Sequence, residues 1–77
     1  MTETTFSRVR RTLSDLFSLS PDAITVDTTQ KDIEAWDSMG HLMFIEALEQ
    51  EFETQCSPEN VEAMRDLGTI VRLLGAP

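Results

Sequence analysis

The sequence predicts an all-α fold: a four-helix bundle of three main helices, a short third helix and a long first loop. Three observations predict it. Apolar residues recur at helical spacing in three segments. Serine, aspartate and proline stand where those segments start and stop. One stretch, from about Ser20 to Asp37, has no sustained period and reads as a loop.

The first helix is expected over Thr5–Leu19. Phe6, Val9, Leu13, Leu16 and Phe17 mark its buried face. Thr2, Thr4 or Thr5 caps its start, and Ser20-Pro21-Asp22 ends it, because the residue before a proline avoids helix. Ile24, Val26, Ile33 and Trp36 are spaced along the loop as anchors onto the helices. The second helix is expected from Ser38 to about Glu53, with Asp37-Ser38 supplying N-cap chemistry. At about 100° per residue, Phe44, Ile45, Leu48 and Phe52 cluster on one side, with Leu42 at its edge. Met39, Met43, Glu46, Gln50 and Glu53 lie opposite. Ser57-Pro58 opens a short helix that includes Val61 and reaches toward Met64. Asp66 caps a last helix with Leu67, Ile70, Val71 and Leu74 inside, and Gly75 suits the position just past its end.

A chain of 77 residues makes one domain, spanning 1–77. A domain of that size buries only about 60 % of its unfolded surface, so modest stability is expected. Cys56 has no partner for an intramolecular disulfide. No Cys/His cluster has metal-ligand spacing, and no apolar run approaches the ~18 residues of a membrane span. Met-Thr-Glu-Thr-Thr does not read as a signal peptide. The expectation is a soluble, cytoplasmic monomer.

The net charge is −8 and unevenly spread. Ten acids and one base lie between Asp27 and Glu62, a local charge of −9. Arg8, Arg10 and Arg11 make half of the six bases. Such a surface repels nucleic acid and anionic lipid and attracts basic protein surfaces. The same charge also serves plain solubility.

Intrinsic catalysis finds little support. Ser38 lacks a Gly-x-Ser-x-Gly elbow, and His41, one turn on, points to the apolar side. The three glycines are isolated, so no phosphate loop exists. Helix mechanics alone make Ser38 an N-cap serine.

The run Trp36-Asp37-Ser38-Met39-Gly40-His41-Leu42 resembles the Asp-Ser-Leu attachment motif of acyl and peptidyl carrier proteins. It is similar to the Trp-Asp-Ser-Leu-Gly-His-Leu form of some stand-alone carriers. Glu46-Ala47-Leu48-Glu49-Gln50-Glu51-Phe52 resembles the acidic second helix of that family. The likeness covers nearly the whole chain, including a fourth helix with Gly68 near its start.

The resemblance implies a four-helix carrier-protein bundle and a non-catalytic carrier. A phosphopantetheinyl transferase would attach phosphopantetheine, taken from coenzyme A, covalently to Ser38. The arm would hold an acyl or aminoacyl group as a thioester for partner enzymes of fatty-acid, polyketide or related biosynthesis. Asp37 matches the aspartate thought to help place metal and coenzyme in the transferase complex. Met39 stands where leucine is usual, which resembles D-alanyl carriers and leaves the cargo open. Glu46, Glu49, Gln50 and Glu53 match the face on which basic surfaces of loading and acyl-transfer enzymes dock. Met39 and Met43 read equally as an adaptable partner patch and as loop-covering packing. Gly40 clears space beside the arm or is a harmless first-turn glycine. Trp36 packs under the loop, His41 is a half-buried structural residue, and Cys56 is a small buried hydrophobe. The rival reading keeps the fold but leaves Ser38 unmodified, as an acidic docking subunit.

Overall fold

Helices form where apolar spacing predicts them: α1 (Thr5–Phe17), α2 (Ser38–Phe52), α3 (Pro58–Ala63) and α4 (Leu67–Gly75). The structure, a computed structural model, describes residues 4–75. Among them there is no strand, only an isolated antiparallel bridge between Thr29 and Asp66. Two 3₁₀ turns, Pro21–Ala23 and Gln30–Asp32, shape the long loop.

Thr4 caps α1, its Oγ1 accepting from the Ser7 N–H at 3.0 Å. Thr5 is the first helical residue, and Thr2 lies outside the described residues. α1 stops at Phe17, short of the expected Leu19. Ser18 turns left-handed at φ 56°, and the Ser18 and Leu19 N–H groups both return to the Ser14 carbonyl. The Ser14 hydroxyl donates to the Leu19 carbonyl. These serines close the helix, and Pro21 opens the first 3₁₀ turn instead.

The loop is held by backbone as much as by side chains. Ile24 and Trp36 are buried and Ile33 is half-buried, as expected of anchors. Val26 corrects the expectation, because its side chain faces solvent. Its carbonyl does the anchoring, accepting from Gly68 N–H at 3.1 Å. The Thr28 carbonyl accepts from Leu67 N–H at 2.9 Å, and Gln30 N–H donates to the Arg65 carbonyl at 2.8 Å. The first turn of α4 thereby spends two of its unpaired N–H groups on the loop.

Val9 and Leu13 of α1, Phe44, Ile45 and Leu48 of α2, and Leu67 and Ile70 of α4 form the core with Met64, Ile24 and Trp36. Trp36 meets the Phe44 ring edge-on, with centroids 5.2 Å apart, a favoured aromatic geometry. Arg8 fastens α1 to the end of α2. Its Nε lies 2.9 Å from Glu51 Oε2 and its terminal nitrogen 2.6 Å from the Glu51 carbonyl. Its guanidinium lies 4.2 Å from the centre of the Phe52 ring. Arg11 reaches the same Glu51 oxygen at 3.0 Å. The arginine hydrogen bond holds the Glu51 carboxyl below its ordinary pKa. Two of the clustered arginines thus serve the acidic helix of their own chain.

Later caps follow the sequence. Ser57 Oγ accepts from Asn60 N–H, and Asp66 Oδ1 accepts from Thr69 N–H at 2.7 Å. Gly75, expected just past α4, is its last residue. Cys56 is half-buried, and burial first, then the nearby Glu49 charge, pushes its thiol pKa up.

Candidate functional site

Which of two adjacent residues caps α2 decides the chemistry of the other. Asp37 takes the cap, its Oδ1 accepting from Gly40 N–H at 2.8 Å. Ser38 is therefore the first helical residue rather than the N-cap that helix mechanics alone suggested. Its side chain is exposed, and its hydroxyl makes no hydrogen bond among the described residues. The Ser38 and Met39 N–H groups, in the first turn, have no carbonyl behind them in the helix. The site thus presents an unengaged oxygen beside unpaired donors at the positive end of a 15-residue helix.

Beneath it lies a polar link that joins three segments. His41 is 5 % exposed. Its Nδ1 accepts from the Trp36 indole N–H at 2.9 Å, and its Nε2 lies 2.7 Å from the Val61 carbonyl. The indole only donates and the carbonyl only accepts, so the ring hydrogen is assigned to Nε2. Loop, α2 and α3 meet on this one ring. A buried donor or acceptor left unpaired costs about 1–3 kcal/mol, so each link matters to a small domain. With both nitrogens engaged below the surface, His41 offers Ser38 no general base.

Gly40 is buried one residue before. A Cβ there would collide with the Ala35 carbonyl oxygen and press on the Phe17 ring at 3.2 Å. The glycine lets loop and α1 approach α2, so it neither clears space for an arm nor sits harmlessly.

Three apolar side chains follow Ser38 on the outer surface. Met39, Leu42 and Met43 are 72 %, 63 % and 51 % exposed. Leu42 corrects the expectation: it leaves the core edge to His41 and joins the methionines. Loop-covering packing is likewise excluded for Met39 and Met43. Glu46, Gln50 and Glu53 continue the exposed side. Glu49 is half-buried, and its Oε2 accepts from Cys56 N–H at 2.8 Å, holding the α2–α3 connection. A shallow depression of about 230 Å³ adjoins Ser38, lined by Gln30, His41, Leu42, Val61, Glu62 and Arg65. Arg65 is fixed there by Gln30 Oε1 at 2.8 Å and the Glu62 carbonyl at 2.9 Å. Sequence reasoning set Leu42 at the core edge and passed over Gln30 and Arg65. Only the distant pairing of residues 30 and 65 could have signalled the last two.

The donor set at Ser38 fits a phosphodiester. A hydroxyl with no hydrogen bond among the described residues can be esterified without giving up a contact of the fold, and the helix N-terminus favours the resulting anion by about 0.3–1 kcal/mol when exposed. Among the described residues no group of acidic, His or Cys side chains could hold a metal ion. None of the described helices is long and apolar enough to cross a membrane.

Comparison with known proteins identifies the kind of domain. A family model described as "Phosphopantetheine attachment site" matches residues 7–74. Acyl carrier proteins of Clostridium perfringens strains SM101 and 13 are each 29 % identical over 69 residues, covering 90 % of this chain and 91 % of theirs. The matched stretch holds α2 and α3 whole and most of α1 and α4, and so includes Ser38 at the start of α2. The chain belongs to the phosphopantetheine attachment site family, as a carrier of the acyl carrier protein type.

Proposed function

We propose that Ser38 is the attachment residue and that this chain carries an acyl or aminoacyl group as a thioester on a phosphopantetheine arm. The observation that carries the reading is the exposed Ser38 hydroxyl, freed from capping by Asp37. In the attachment step a phosphopantetheinyl transferase uses coenzyme A. The Ser38 oxygen forms a bond to phosphorus, adenosine bisphosphate leaves, and the serine proton passes to the transferase. Asp37, spent on the helix cap, keeps one carboxylate oxygen for that enzyme's metal and coenzyme. The arm supplies the reactive thiol; the chain's own residues hold its root at the helix end and present it.

The chain itself performs no catalysis in this reading. Its partners are the transferase and the loading and acyl-transfer enzymes of a biosynthetic route. Met39, Leu42 and Met43 form the apolar centre of the docking face, and Glu46, Gln50 and Glu53 its charged extension, with Glu49 set back. Exposed methionines suit several partners because the side chain repacks readily. Acids of this kind steer encounter with basic surfaces more than they hold the complex. Tethering gives each partner a high local concentration of cargo. We place the carrier in the cytoplasm, as a monomer.

The test is intact-mass analysis after incubation with coenzyme A, Mg²⁺ and a broad-specificity transferase. The expected result is a gain of one phosphopantetheine. An unmodified docking subunit gives no gain and overturns the proposal.

A further inference from the structure

We infer that this carrier holds its cargo outside the helical core, and that the cargo is a short or polar acyl or aminoacyl group rather than a long hydrocarbon chain. The inference rests on attachment at Ser38. A hydrocarbon chain at the end of such an arm would seek cover from water in proportion to its apolar area. From Ser38 the near route inward lies between α2 and α3, under the depression lined by Leu42 and Val61.

That route is bolted. His41 on α2 is bonded to Val61 on α3 and to Trp36 of the loop, and His41 and Val61 are themselves part of the depression's wall. A chain passing inward must part His41 from Val61, leaving a ring N–H and a carbonyl unpaired against hydrocarbon. It must also move Trp36, which is stacked on His41 at 6.0 Å and edge-on to Phe44. No buried side-chain nitrogen or oxygen among the described residues lacks a partner, so no slack in this network offsets the loss. Behind the bolt, Trp36, Phe44, Leu48 and Met64 fill the space to 2 % exposure or less.

Two larger surface depressions do not replace that route: the groove between α1 and α2, about 440 Å³, is walled largely by polar side chains such as Arg11, Asp15, Gln50 and Glu51, and one of about 350 Å³ beside Lys31 and Asp66 has no α2 residue in its wall. The depression at Ser38, about 230 Å³, is open and lies below the roughly 300–1,000 Å³ of usual ligand clefts. The loop pocket beside Ile24 and Ile33 has no α2 residue in its wall. A short or polar group needs no such cover.

The test loads the full chain with an acetyl or an octanoyl arm, using the corresponding acyl-coenzyme A and a transferase. Intact mass reports attachment. The Trp36 indole N–H resonance reports the bolt, and hydroxylamine cleavage of the thioester, which releases the arm's thiol, reports exposure. The expected result is the same indole resonance in both forms and cleavage rates equal within about twofold. A displaced indole resonance in the octanoyl form, or cleavage slowed about tenfold (about 1.4 kcal/mol of protection), overturns the inference while leaving attachment intact. Absence of any mass gain overturns the attachment reading, and the inference falls with it.

Discussion

Replacing His41 by phenylalanine separates the packing of the ring from its hydrogen bonds. The substitution keeps an aromatic ring of similar width in the buried site but removes both nitrogens. The Trp36 indole N–H and the Val61 carbonyl, held at 2.9 and 2.7 Å in the parent, then have no partner. At about 1–3 kcal/mol for each unpaired group, and allowing for water reaching Val61, the loss should be about 2–4 kcal/mol. A domain of 77 residues has only about 4–12 kcal/mol in total. The variant should therefore melt at least about 10 °C lower. Urea unfolding followed by circular dichroism measures the change. Combining His41→Phe with Trp36→Phe removes both members of one pair, and should cost less than the sum of the single losses. The bolt is refuted by a His41→Phe variant that unfolds at the parental urea concentration. Strict additivity of the two substitutions would count equally against it.

Three further outcomes follow from the same geometry. Gly40→Ala should destabilise the fold by about 1–3 kcal/mol despite alanine's better helix propensity, because the new Cβ meets the Ala35 backbone carbonyl; thermal melting checks it. The Arg8 hydrogen bond depresses the Glu51 pKa, so Glu51 contributes stability above its ordinary value of 4.5 and loses it as pH falls through the lower folded value. The parent should accordingly lose more stability on acidification than Glu51→Gln, in urea titrations on either side of that value. Charge reversal at Glu46 and Glu53, both exposed, should slow association with a partner enzyme at low salt by about tenfold and leave the fold unchanged. The same change at Glu49 should unsettle the α2–α3 connection as well, since Cys56 N–H loses its acceptor.

The core helices were legible in the sequence because their apolar residues fall on one face and propensity agrees with packing. Ser57 and Asp66 cap where cap chemistry stands in the sequence. Legibility failed where a residue answers to a distant partner. His41 reads as a half-buried structural residue facing the apolar side, but the partners five and twenty residues away that bury it do not show in the spacing, and Leu42 turns outward beside it. Val26 reads as an apolar anchor, but the loop is held there by its carbonyl. Ser14 and Ser18 end α1 through geometry that serines elsewhere in the chain do not repeat. At the site, the motif gave Ser38 its place, while Asp37 and Ser38 both had cap chemistry. That Asp37 takes the cap and frees the Ser38 hydroxyl is a property of the folded turn.

The central claim is that Ser38, and no other residue, receives the arm. Peptide mapping by tandem mass spectrometry after treatment with coenzyme A, Mg²⁺ and transferase tests it most directly, with Ser38→Ala in parallel. The account predicts one phosphopantetheine on Ser38, within the peptide that contains Trp36 to Leu42, and none on Ser38→Ala. An unmodified Ser38, or an undiminished mass gain in Ser38→Ala, contradicts it.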